Sequence, residues 1–169
     1  MKRLFLQLAL VAFAAAAHCA EPARLLPKTT ALPLALDDAF QFRKTITFLN
    51  DARQWKSTTE DMINFERLRM NYGAVTNLDR LQRQGNYFTF YWRATRPADL
   101  TVRFEYTQEK LGAFVQAQER SYKGAKGTFQ SDFAVVGDAY QQEGHVTAWR
   151  AILIEKGKIV GLNQSYLWR

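Results

Sequence analysis

The chain has 169 residues, with 23 Lys+Arg against 16 Asp+Glu, one Cys and two His. That length suits one domain and is too short for a multi-domain enzyme, and a content of 47% hydrophobic and 14% aromatic residues excludes wholesale disorder. The lone Cys excludes an intramolecular disulfide framework and, with only two His, a Cys/His zinc cage.

Residues 1–20 read as a targeting segment. Lys2 and Arg3 form a short positive region, Leu4 to Ala17 is an uncharged apolar run, and small residues follow, which is the layout of a secretory signal peptide. The run is shorter than the ~20 residues of a membrane span, and no later segment is long enough to cross. Ala15-Ala16-Ala17 fits a small-x-small cleavage site that leaves His18 and Cys19 on the product, whereas a cut after Ala20 removes both. Cys19 raises the alternative of a lipid anchor, but His18 stands where such a signal wants a small residue. The expectation is export across a bacterial inner membrane, to a periplasmic or secreted location. Loss of Lys2 and Arg3 leaves 21 basic against 16 acidic residues, scattered and without a block of like charge. A nucleic-acid binder would cluster them on one face, so nucleic acid is not an expected partner.

Residues 21–39 carry Pro22, Pro27 and Pro33 without periodicity and read as an extended linker before a domain at 40–169. Phe40, Phe42, Ile46 and Phe48 alternate with polar residues, Lys44 intruding, as in a half-buried strand. Residues 61–72 (DMINFERLRMNY) fit two patterns: a helix capped at Ser57, Thr58 or Thr59, or a strand whose parity changes at a bulge near Glu66-Arg67. The alternation favours the strand. Residues 77–84 have room for one short helical turn.

Residues 86–95 put Phe88, Phe90, Trp92 and Ala94 on one face, and Leu100, Val102, Phe104 and Tyr106 alternate in the same way after Arg96-Pro97-Ala98-Asp99. Read as a turn, that tetrapeptide makes a hairpin with Ala94 opposite Val102, Trp92 opposite Phe104 and Phe90 opposite Tyr106. Leu111 to Gln118 reads as a further strand, and Gly124 and Gly127 flank a loop. Phe129 to Tyr140, His145 to Glu155 and Lys158 to Trp168 then form a meander with turns at Gln142-Glu143-Gly144 and Lys156-Gly157. About seven short strands with turn signals between them predict an all-β fold, a single antiparallel β-sandwich.

In strand number and spacing, residues 86–168 resemble immunoglobulin-like and fibronectin-III-like domains. The Cys…Trp…Cys pattern of the former is missing, and Asp138-Ala139-Tyr140 only loosely matches a tyrosine corner. The resemblance implies an architecture and no particular activity.

Chemistry-bearing motifs are few. His145 has no G-x-S-x-G elbow to serve, though Ser165 and Asp138 are present. There is no two-His face, calcium loop or phosphate-cradling glycine loop, so no metal and no cofactor is expected. Glu105, Glu119, Asp132, Asp138 and Glu143 could supply a glycosidase pair, but acids in turns are ordinarily solvated, and a non-enzymatic protein is the expectation. The hairpin register gathers Tyr91, Arg93, Arg103 and Glu105 on the outer face, with Arg150 able to join them. Arg forks and Tyr platforms suit contacts with an envelope protein or glycan. The alternative, a carbohydrate-binding module, would use Trp55 and Trp168, the two Trp outside the apolar faces.

Overall fold

The computed structural model describes residues 23–27, 29–54 and 59–168. It is a mostly β protein: β1 (Arg24–Leu26), β2 (Phe40–Asn50), α1 (Asp61–Asn71), α2 (Asn77–Gln82), β3 (Gly85–Gln108), β4 (Gln116–Val136), α3 (Asp138–Glu143), β5 (Val146–Glu155) and β6 (Lys158–Gln164). The six strands form one antiparallel sheet in the order β1-β4-β3-β5-β6, with β2 pairing β3. The signal segment, Cys19 and Trp55 lie outside the described residues.

The centre of the fold is one long hairpin. β3 and β4 pair from Gly85↔Val136 to Tyr106↔Gln116, with register shifts between Ala94 and Leu100. The expected turn at residues 96–99 is therefore a bend inside a continuous strand. The reason lies on the partner strand, where Gly124 (φ 57°) and Gly127 (φ 109°) adopt left-handed backbone near the same level. Breakers on both strands at one level corner the ladder without ending it. Asp99 accepts a 2.7 Å bond from the Gly124 amide, across the hairpin and not back to its own segment. The expected cross-turn pairs do not form: Trp92 lies between Phe42 and Phe129, and Phe104 between Gln118 and Ala151.

Before the corner β3 is flanked by β2, after it by β5 and β6. Bending folds the sheet over, and its two halves face each other across one core. Phe88 meets Phe104 with ring centroids 4.6 Å apart, and Phe90 meets Trp149 at 5.4 Å. Phe88, Phe90, Trp92, Val102, Phe104 and Tyr106 are all buried, as their parity indicates. Trp92 satisfies its indole N–H on Ser131 at 2.8 Å and stacks on Phe129.

Several elements differ from their sequence expectation. Residues 61–71 are helix, because the two apolar parities are two helical stripes: Ile63 and Met70 are half-buried, and Met62, Phe65 and Leu68 are exposed. In β2 the register jumps between Phe42 and Lys44, so Ile46 and Phe48 move to the outer face beside Thr89 and Tyr87. No strand forms over 111–115, and β4 starts at Gln116. After Val136, Gly137 (φ 62°) ends β4 and α3 follows, so residues 138–140 are helical. Gln142-Glu143-Gly144 is not a hairpin turn, since β4 and β5 lie on opposite sides of β3. Lys156 (φ 49°) and Gly157 (φ 74°) do make the tight β5–β6 turn. β6 stops at Gln164, short of Trp168.

The segment read as a linker crosses the outer surface of the sheet from edge to edge. β1 pairs the β4 edge at Ala117–Glu119, and the Thr30 carbonyl then accepts from Arg103 at 3.1 Å. Leu32 packs on Ile152, Ile154 and Ile159, and residues 33–37 hydrogen-bond along β6. Arg96 fastens the far end, donating to Asp37 at 2.8 Å and Glu155 at 2.7 Å with its guanidinium over the Phe40 ring. No described helix is long and apolar enough to cross a membrane.

Candidate functional site

The corner separates the residues expected to form one face. Tyr91, half-buried, lies between Lys44 and Gln130, and Arg93 is exposed between Gln41 and Thr128. Arg103, Glu105 and Arg150 do come together beyond the corner, on adjacent strands. Arg150 donates to Glu105 at 2.6 Å, Arg103 lies 3.6 Å from the same carboxylate, and Arg103 also donates to Glu119 at 2.6 Å. Two cations therefore meet two anions, and Arg93 never faces Arg103. Glu105 is only 2% exposed, under Arg103 and the strap at Thr30. Trp168 is half-buried with the Arg150 guanidinium 5.0 Å from its ring centroid, so a cation already occupies one ring face.

The other chemistry-bearing residues are dispersed. His145 Nδ1 lies 2.9 Å from Glu109, and Ser165 Oγ accepts from the Trp149 amide. Asp132 accepts from Thr89 and Gln130. Among the described residues no group of three or more His, Cys, Asp or Glu is placed to hold a metal ion.

The surface that stands out is built by α1 and α2. Neither helix buries a single residue. Helices this short are marginal alone, so something else must hold them. Polar bonds do. The Asn50 and Asn71 amides bond each other at 3.1 and 3.3 Å, while Asn50 also donates to the Arg83 carbonyl and Asn71 to the Arg67 carbonyl. Gln84 links to α3 through Gln141, and a Thr76/Asp79 capping box fixes the start of α2. Beneath them, Tyr140 of α3 donates to Asp51 at 2.8 Å. The Arg53 guanidinium, outweighing burial, holds the Asp51 carboxyl down at about 2, while burial and that carboxylate push Tyr140 up to about 12.

Mounted on this polar base, the helices carry apolar side chains outward. Phe65 is 60% exposed, Leu68 72% and Tyr72 85%, with Met62, Val75, Leu78 and Leu81 also exposed. Large apolar side chains left bare in such number on two neighbouring helices point to an interaction site. Between the helices lies a groove of about 850 Å³ whose walls include Leu68, Tyr72 and Leu81, with Asn50 and Asn71 beneath and Arg67 and Arg80 among its sides. On the other side of α1 a cleft of about 590 Å³ opens over Ile46, Phe48, Tyr87 and Tyr91 of the sheet. Sequence reasoning missed this site because a strand over 61–72 spends its apolar residues on the sheet; the available signal was an apolar content larger than one face needs.

The chain matches no protein-family model, no curated protein and no solved structure, so its functional reading rests on these residues alone.

Proposed function

We propose that this chain is an exported, non-enzymatic binding module of a bacterial cell envelope, and that it binds through the α1–α2 surface. The observation that carries the reading is the exposure of Phe65, Leu68 and Tyr72 on helices in which no residue is fully buried. In a chain whose core buries side chains as large as Trp92 and Phe104, so much bare apolar area is costly unless a ligand or partner covers it. Export is supported by the charged start, apolar run and small-residue end of residues 1–20. The Arg103–Glu105–Arg150 face supports a structural role better than a contact role, because its charges pair internally beneath the strap. Nothing about Trp168 favours a sugar platform while Arg150 covers one side of its ring.

The test is a Phe65→Ser/Leu68→Ser variant. Saturable binding of a neutral apolar dye, Nile red, is expected to disappear while the melting temperature stays within a few degrees of wild type. A large fall in melting would mean that these side chains serve the fold, and the reading would fail. Export is tested by N-terminal sequencing of protein recovered from periplasm or medium, with the first residue expected between His18 and Glu21. An intact Met1 on a membrane-embedded chain would overturn it.

A further inference from the structure

We infer that the partner covering α1 is a second copy of this chain, its own α1 laid antiparallel about Phe65, which rests on the reading of that surface as a binding site. The exposed residues of α1 are Asp61, Met62, Phe65, Leu68 and Arg69, and every other residue of the helix is half-buried. At about 100° per residue these five fall within about 60° of Phe65, so they form one stripe along the helix. Their order is symmetric in position and opposite in charge. Met62 and Leu68 stand three residues to either side of Phe65, and Asp61 and Arg69 four residues to either side.

A helix with that pattern is its own complement when reversed. Turned end for end, it sets Phe65 against its own copy, Met62 beside Leu68 of the second chain, and Asp61 beside Arg69. Two-fold pairing repeats each contact, so both ends gain an opposite-charge pair. Parallel pairing would instead set Asp61 against Asp61 and Arg69 against Arg69, which is repulsive. Arg69 contacts Glu66 of its own helix at 2.9 Å through Nε and Nη2. A guanidinium has five N–H donors, and those of Nη1 can meet a second carboxylate.

Other occupants suit the stripe less well. Phe65 stands on a crest between the groove walled by Leu68 and the cleft walled by Met62. A small ligand in either hollow leaves the crest bare, whereas a helix laid along it covers all three apolar side chains. An anionic bilayer would meet the Asp61 carboxylate at one end of the stripe. The face is small, so the dimer belongs to the weak, exchanging class.

Sedimentation of the purified protein across the micromolar range tests this. The wild type is expected to dimerise reversibly, and Phe65→Ser/Leu68→Ser to stay monomeric with melting within a few degrees of wild type. Asp61→Arg and Arg69→Asp each set like charges in both end contacts, so either variant alone should dimerise about tenfold more weakly. Mixed together, the two carry opposite charges at both contacts and should regain wild-type affinity as a heterodimer, which a folding defect cannot produce. A mixture that associates no better than its parents would overturn the antiparallel pairing. A monomer throughout that still binds Nile red in a Leu68-dependent way would overturn the second copy and leave the binding surface standing. Co-sedimentation of that monomer with phosphatidylglycerol vesicles would overturn it in favour of a membrane. Absence of both the dimer and Leu68-dependent dye binding would overturn the two readings together.

Discussion

Tyr140 donates its hydroxyl to the Asp51 carboxylate at 2.8 Å, joining α3 to the end of β2 across 89 residues of sequence. Asp51 is 1% exposed and also accepts from the Arg53 amide and guanidinium. The pair forms part of the polar base on which α1 and α2 stand.

Its titration has a definite sign at each end of the pH scale. Asp51 binds its proton less readily folded than unfolded, so its contribution is complete above about pH 4 and is lost as pH falls towards about 2. Tyr140 holds its proton more tightly when folded, so its contribution is intact below about pH 10 and is lost as pH rises towards about 12. Urea midpoints measured across both windows should fall less steeply in Asp51→Asn on the acid side and in Tyr140→Phe on the alkaline side. Unaltered slopes in the variants would show that neither group is shifted by folding.

Trp92 is 0% exposed and stacked on Phe129, so Trp92→Ala should cost about 3–5 kcal/mol in denaturant unfolding. A loss below about 1 kcal/mol is a surface value and would contradict its place in the core.

Gly85 opens β3 at φ 147°, and a Cβ there would run into the carbonyl oxygen of Val135 and come within 2.8 Å of the Val136 Cα. Both obstacles are backbone of the paired strand, so neither can swing aside. Gly85→Ala should destabilise by on the order of 3 kcal/mol, read from the chemical denaturation midpoint.

Arg103→Ala should lower stability by about 3 kcal/mol, since it leaves Glu105 buried with Arg150 alone. Arg93→Ala, at an exposed position, should stay within about 0.5 kcal/mol of wild type. Equal melting of the two variants would mean that the Arg103 cluster contributes nothing to the fold.

Much of the sheet was legible in the chain. Period-2 alternation located both halves of β3 and its buried face, and Lys156-Gly157 announced the β5–β6 turn. What escaped depends on events between strands. Arg96–Asp99 and Gly124–Gly127 each read as a chain reversal on their own, and only their placement at one level of a single ladder turns them into a corner. Lys44 was the trace of the β2 register jump, but one discordant residue does not say which side of it has changed face. Residues 61–71 carry apolar groups on two sides, and alternation and helical stripes are hard to separate over so short a run. Of the expected outer face, Arg103, Glu105 and Arg150 were found together because their strands are neighbours, while Tyr91 and Arg93 stayed behind the bend. The bareness of Leu68 and Tyr72 was not in the sequence at all, since exposure is set by what the rest of the chain leaves uncovered.

The strap also fixes an order of events. Its residues 33–37 bond to β6, so some of the earliest described residues find their partners in the last of the six strands. Until Lys158–Gln164 emerges, Leu32 has no Ile159 to cover and Arg96 has no Glu155 to clamp. Contacts of such long sequence separation make for slow folding, and the strap can lock only after the sixth strand has joined the sheet.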